Sequence, residues 1–533
     1  MSWLGRALVT VLAALACGTA VLLASCASPD ELPAQRALAA SPRDGAVAGA
    51  PSPSAASALP WPQAQWWREL GDAQLDALVE QALAGQPGLQ EVLARWRHAQ
   101  ALTRSAVAAQ RPQVTAAADA QLQRFSEHGT VSSALGGDTR LSLNAQIQGS
   151  WEWDLFGRQQ AALAAALGQQ RAAQAELRAA QGLLAAQVAS GYFQLARLVA
   201  QQGLAAQAQG QRERALLLVR QRVAAGLDSA VDLHQAELLV AQSRLELSAW
   251  DDPLARARHA LAELAGLQPG APIGLMPRLG AALLAEAPAA SAESGAPWVG
   301  PPNVRWPVQT AAETPVRSAT PSGPRSVGLP AALPADLLGR RADLVALRWR
   351  VEAALRDVDG ARAQFYPNIN LMALVGLASM GLDHWLDLGS RTWAIGPALR
   401  LPLFDGGRLQ ATLGARSAQA DAAIEAYNGA LLRALREVAD ELAGLQALRH
   451  EAAAQAAVAR AAEAGLATAR ARHAAGLGSL LPVLQAQTAV LTQQRAQVDL
   501  QTRHRLSEVA LVRALGGGYQ SEAALPHGPV ANP

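Results

Sequence analysis

The chain has 533 residues, half of them apolar but only 4% aromatic, with 45 basic and 43 acidic side chains for a formal net charge of +2. A filling of alanine, glutamine, leucine and arginine favours long helices over mixed globular cores. The near balance of charge, without any Lys/Arg block, excludes nucleic acid as the main partner, because phosphate binding needs a concentrated basic surface. Both cysteines, Cys17 and Cys26, lie near the beginning, so the rest of the chain carries no disulfide framework, thiolate metal site or cysteine nucleophile.

Arg6 is the only charge before Asp30, and an apolar run follows it from Ala7 to Ala24. A short positive region ahead of a hydrophobic segment reads as an export signal. A transmembrane helix needs about 20 apolar residues, so length alone leaves both readings open. The run ends Leu23-Ala24-Ser25-Cys26, which resembles a bacterial lipobox. The resemblance implies a signal peptide over 1–25, cleavage before Cys26 and diacylglycerol on its sulfur. Alanine rather than aspartate at position 27 then implies delivery to the outer membrane. Residues 26–60, rich in Ala, Pro and Ser, read as the acylated cysteine and a flexible tether.

The body is written twice, over 61–268 and 336–517. Arg222 to Ala236 matches Arg472 to Ala486 at eight of fifteen positions without a gap, including Gly226-Leu227 and Gly476-Leu477. Trp153-Asp154-Leu155-Phe156-Gly157-Arg158 has its counterpart in Leu401 to Arg408, and Gln110-Arg111-Pro112 in Phe365-Tyr366-Pro367. Each copy reads helix, strand pair, long helix, turn, helix. Between them, 269–335 is a Pro/Ala/Gly/Ser-rich insertion, longer than a compact domain normally tolerates as a loop. Residues 518–533 read as a loose tail.

Leu141 to Leu155 alternates without error, placing Leu141, Leu143, Ala145, Ile147, Gly149, Trp151, Trp153 and Leu155 on one face and only polar side chains and acids on the other. Gln113 to Gln123 shows the same habit, and Ile369 to Leu377 with Trp393 to Leu403 are the second-copy strands, alternating less cleanly. A half-buried strand of a soluble sandwich is the plainer reading. A run of 15 is nevertheless long against the usual 5–6 residues, and a polar face opposite an apolar one capped by tryptophans suits a membrane strand beside a water-filled lumen. Four strands do not close a membrane barrel, the smallest of which use about eight, so the partners must come from other copies; a trimer supplies twelve.

Arg158 to Ala225 and Leu409 to Ala475 contain no proline and predict two helices of nearly equal length, each reaching roughly 100 Å at about 1.5 Å per residue. A coiled-coil rod explains these helices but not the strands. Gly226-Leu227 and Gly476-Leu477 end them, glycine being the usual residue where a helix stops.

This pattern resembles the TolC-like outer-membrane efflux family, in its lipoprotein branch, over roughly 61–267 and 335–517. Trp66-Trp67, Gly71-Asp72, Trp151 to Arg158, Leu401 to Arg408 and both tips carry the likeness. The resemblance implies a mainly α chain with a membrane β-barrel portion. Its homotrimer forms a 12-stranded barrel on an α-helical periplasmic tube and docks to a periplasmic adaptor protein and an inner-membrane efflux pump. It implies adaptor-docking tips at Gly226, Leu227, Gly476 and Leu477 and an aperture acid at Asp232, whose second-copy positions hold Pro482 and Gln485 instead. The implied function is a passive exit duct for small toxic solutes, drugs or metals, held in the outer-membrane lipid. A type I secretion duct shares the fold, and a structural helical lipoprotein stands as a further alternative. No enzyme motif, cofactor site or metal-spaced histidine pair is present in the sequence, so no chemistry is expected beyond the lipid on Cys26.

Overall fold

A computed structural model describes residues 36–38, 61–128, 136–270, 274–275, 277 and 340–519. The export signal, Cys26, most of the tether, nearly all of the 269–335 insertion and all but the start of the tail lie outside the described residues. The elements follow the order predicted for two copies. The first contains α1 (Ala73–Gly85), α2 (Pro87–Ala109), β1 (Gln113–Arg124), β2 (Thr139–Trp153), α3 (Arg158–Ala224), α4 (Ala230–Ser248) and α5 (Asp251–Leu264). The second contains α6 (Ala342–Ala363), β3 (Asn368–Met380), β4 (Arg391–Arg400), α7 (Arg408–Ala474) and α8 (Leu481–Ala514).

The chain divides into two compact units, and each draws on both copies. The first is built from Glu91–Leu177 and Asp343–Leu432, with residues 36–38 belonging to it. The second takes the described parts of Ser41–Gln90, Arg178–Ala342 and Arg433–Pro533. Helices α3 and α7, each 67 residues long, contribute to both.

In the first unit, β1 to β4 form one antiparallel sheet in sequence order. The helices keep the same order. Thr103 of α2 donates to the Ala166 carbonyl of α3 at 3.2 Å. Gly168 of α3 lies so near Ala353 of α6 that a methyl there would come within 2.9 Å of its Cβ. Arg171 stacks 4.5 Å over Trp349, and Arg350 pairs with Glu176. Val358 and Ala361 of α6 then pack on Leu413 and Ala420 of α7. Small side chains let these helices approach closely.

Strand limits differ from the sequence reading at their ends. β2 begins two residues earlier and stops at Trp153, because the Leu155 N–H turns back onto the Trp153 carbonyl at 3.0 Å. β4 stops at Arg400, ahead of Pro402, which has no N–H for a ladder. Pro397 falls within β4, opposite Leu371 of β3, and having no N–H it leaves one ladder position without a donor.

The second unit is organised around aromatic and glycine contacts. Trp66 and Trp67 are buried edge to face, with ring centroids 6.0 Å apart. Asp72 caps α1 through the Gln74 N–H at 2.9 Å, and its other oxygen accepts the Tyr192 hydroxyl at 2.5 Å. Burial and that acceptor both push the phenol well above its ordinary pKa, so it stays a donor. Gly516, Gly517 and Gly518 end α8 with positive φ and lay the chain against the Arg340 and Gln63 carbonyls. Arg341 donates to Glu437 at 2.9 Å and to the Ala514 carbonyl at 3.3 Å, tying the start of the second copy to α7 and α8.

Candidate functional site

The sheet register decides which side chains share a face. Ile147 lies opposite Ala116 on β1 and Val375 on β3, and Val375 lies opposite Trp393 on β4. Directly opposed residues of antiparallel strands project to the same side. The apolar positions of all four strands therefore join into one surface: Val114, Ala116, Ala118, Ala120 and Leu122; the odd positions of β2 from Leu141 to Trp153; Ile369, Leu371, Ala373, Val375 and Leu377; and Trp393, Ile395, Pro397 and Leu399. Most of this surface is uncovered in the chain, Ile147 being 51% exposed and Trp393 75%, although Leu143 is buried. A face of this size without a protein partner is not what a soluble sheet presents to water.

The opposite face carries Gln113, Thr115, Asp119, Gln121, Ser142, Asn144, Gln146, Gln148 and Glu152 from the first copy. Asn144 donates to Asp119 at 3.3 Å, and Arg158 closes on Glu152 through two hydrogen bonds. The strands have 12, 15, 13 and 10 residues, enough for tilted strands to cross a bilayer. Among the described residues, no helix is long and apolar enough to do so. At the helix end of the sheet, Trp151, Trp153, Phe156, Tyr366 and Phe404 are exposed, with Phe156 stacked on Tyr366 at 4.9 Å. Aromatic side chains gathered at one level mark a membrane–water boundary. The outer edges of β1 and β4 have no strand beside them among the described residues.

The two hairpin tips lie in the second unit. At the first, the Gly226 N–H bonds to the Val223 carbonyl at 3.0 Å and the Leu227 N–H to Arg222 at 2.9 Å. Gly476 and Leu477 repeat this on His473 and Arg472 at 3.0 and 2.9 Å. Both are the paired bonds of a helix end closed by a left-handed residue, with φ +72° at Gly226 and +70° at Gly476. The residue after such a glycine usually folds back onto its helix. Here Leu227 is 67% and Leu477 71% exposed.

Beyond the turns the two tips differ. Arg222 grips Asp228 through both carboxylate oxygens at 2.8 and 3.1 Å. Ser229 and Asp232 form a reciprocal cap on α4, with the Asp232 carboxylate accepting from the Ser229 N–H at 3.0 Å. The hydrogen bonds from Ser229 hold the Asp232 carboxyl below the usual carboxylate range. The cap is thus complete above about pH 4 and is lost as pH falls through the lowered value. The second tip has Gly478 in place of the aspartate, with His473 Nδ1 3.0 Å from its carbonyl oxygen, and α8 starts from Leu480 without a side-chain cap. Leu480 instead packs beside Leu216, Val219, Ala236 and Val240 of the first hairpin. The sequence reading singled out Asp232 but passed over its role as a cap, whose signal is the Ser229-x-x-Asp232 spacing; nor did it mark the Arg222–Asp228 pair. Cys26 lies outside the described residues.

The architecture has known relatives. The family described as "Outer membrane efflux protein" matches residues 78–267 and 333–517. The chain is 33% identical over 469 residues to the multidrug resistance outer membrane protein MdtP of Escherichia coli strain K12, covering 86% of this chain and 88% of that protein. It is 32% identical to the outer membrane protein OprJ of Pseudomonas aeruginosa, over 86% and 87% of the two chains. Among solved structures, the outer membrane protein VceC of Vibrio cholerae is similar, with a TM-score of 0.71, 33% identity, and coverage of 86% of this chain and all of the other. The chain therefore belongs to the outer membrane efflux protein family and is an efflux channel of the outer membrane.

Proposed function

We propose that three copies of this chain form a 12-stranded barrel on a helical periplasmic tube, and that this trimer is the passive exit duct of a tripartite pump. The single observation that carries the reading is a sheet with one continuous apolar face and two open edges. In lipid each unpaired backbone group costs several kcal/mol, and a lone four-stranded sheet leaves two rows of them. Pairing β1 of one copy with β4 of the next removes both rows at once. The apolar face then meets lipid and the Gln/Asn-rich face lines water.

Energy comes from an inner-membrane pump, and a periplasmic adaptor docks on Leu227 and Leu477, apolar side chains exposed where a tip would present them. Opening is a shift of the hairpins between two arrangements biased by adaptor contacts. Asp232, charged at neutral pH, borders the periplasmic aperture. The cargo is drugs, a reading supported by the relative MdtP, which is named a multidrug resistance outer membrane protein.

Lipidation of Cys26 fits the reach of the chain. The Arg36 N–H bonds to Asp421 at 3.0 Å, and Asn428 donates to the Ala37 carbonyl at 3.4 Å, so residues 36–37 lie against α7. From Arg36 back to Cys26 the chain spans at most about 36 Å. Asp421 lies only roughly 20 Å along α7 from its start, on the side where β4 ends. Acyl chains on Cys26 would therefore be within reach of the membrane, and several of them would anchor stably.

Deleting the gene and challenging cells with a panel of organic drugs and metals tests the reading. Restored Cys26→Ser protein is predicted to lose palmitate labelling and some of its membrane retention but to keep its oligomer. Unchanged susceptibility to every compound in the deletion strain contradicts an efflux duct.

A further inference from the structure

The inner wall is polar only in half. On the face opposite the apolar surface, the second-copy strands place Met372, Leu374, Gly376, Ala378 and Met380 on β3. On β4, Gly396 stands beside Met372 and Ala394 beside Leu374, with the Thr392 hydroxyl opposite Gly376 at the margin of this stretch. Between Met372 and Met380 none of the β3 side chains on that face carries a hydrogen-bonding group. The neighbouring first-copy wall is dense in amides and hydroxyls. Met372 is 47% and Met380 49% exposed, so neither is taken up by packing within the chain. Membrane barrels normally fill this face with polar groups, and lipid already has the other face. The apolar track needs its own explanation.

We propose that this track is a sliding surface for the hydrocarbon body of an amphipathic organic cation in transit. The inference rests on the duct reading above and names the class of cargo within it. Methionine suits such a role, since its unbranched, polarizable side chain adapts to many apolar shapes. The cationic head of the solute faces the first-copy wall. There Asp119 accepts a hydrogen bond from Asn144 and has no ion pair among the described residues. Its register partner Asn144 lies in turn opposite Ala378, placing charge and track at one level of the wall. A hard, strongly hydrated metal ion gains nothing from Met372, Leu374 and Met380, because it does not shed water for an apolar wall and takes oxygen ligands rather than thioethers. A solute with an apolar body gains at each step while keeping its head hydrated or paired.

The test uses the full-length oligomer in phospholipid nanodiscs with rhodamine 6G as an apolar cation, read by fluorescence anisotropy against empty discs. The Met372→Gln/Leu374→Gln/Met380→Gln variant is expected to weaken binding by about tenfold, the factor that 1.4 kcal/mol represents. Asp119→Asn is expected to weaken it as well, and Met372→Leu/Met380→Leu, which keeps the face apolar, to weaken it less than the Gln variant. Met380→Gln alone, expected to give a smaller loss, serves if the triple variant does not assemble. A Met372→Cys variant labelled with a water-soluble maleimide separates the two levels of the argument. Labelling with undiminished rhodamine binding in the Gln variants overturns the track but leaves the duct. Labelling only by a lipid-soluble maleimide overturns the duct reading itself.

Discussion

Gly516→Ala is expected to remove a large part of the protein's folding stability and to lower its melting temperature steeply. A methyl at this position would stand 1.9 Å from the Arg340 carbonyl oxygen, and the backbone sits at φ +99°, where L side chains are strained. The carbonyl cannot withdraw cheaply, since Arg340 stacks 4.6 Å over Trp61 and the next residue, Arg341, is held by Glu437 and Ala514. Strain of about 1–3 kcal/mol and a clash of similar size add to roughly 4 kcal/mol, a large part of the stability of an ordinary domain. Gly518→Ala meets the Gln63 carbonyl at 2.0 Å and should behave alike. Gly444→Ala in α7, with nothing within 4 Å of the new methyl, is the control and should be neutral or slightly stabilising. Thermal unfolding of the purified protein in detergent, followed by the helix signal, checks this. A Gly516→Ala protein melting with the wild type would show that the junction of Gln63, Arg340 and α8 is not as drawn.

Ile147→Arg is the second large effect. Ile147 sits near the middle of β2 with Ala116 and Val375 beside it on the apolar face. An arginine facing lipid at the midplane costs about 2–4 kcal/mol per chain, and an assembly of three copies carries that cost three times. Gln148→Arg is one residue away but on the opposite face, beside Thr115 and Leu374. It meets water and should fall within about 0.5 kcal/mol of the wild type. The fraction of protein recovered as a folded oligomer in liposomes, titrated with urea, separates the pair. Equal effects of the two arginines would mean that the faces are not in different solvents.

These contrasts show what the sequence could disclose. The face of β2 was readable because Leu141 to Trp153 alternate without a break, and a one-residue slip would exchange every side chain. β3 and β4 were harder for a physical reason. Met372, Leu374 and Met380 make both faces apolar, so the period fades, and only pairing with β2 fixes which face is which. Glycine at 226 and 476 announced the helix ends, and both long helices end within one residue of the expected position. The division into two units was not visible, because each takes pieces of both copies. Position 518 was read as the start of a loose tail, yet Gly518 lies against Gln63, a contact between residues remote in sequence that no local pattern encodes. At the tips, the Ser229-Ala-Val-Asp232 spacing carries the cap, which the sequence reading passed over, and its absence from the second copy goes with Pro482 and the different packing of Leu480.

The most direct test places single spin-labelled cysteines at each position from 141 to 153 in the membrane-embedded protein, whose sequence has no other cysteine after Cys26. Accessibility to oxygen, which concentrates in lipid, and to a water-soluble nickel chelate should alternate with a period of two. Positions 143, 145, 147 and 149 should favour oxygen, and 142, 144, 146 and 148 the chelate. Accessibility to the chelate at both sets, without alternation, would contradict a barrel wall between lipid and water.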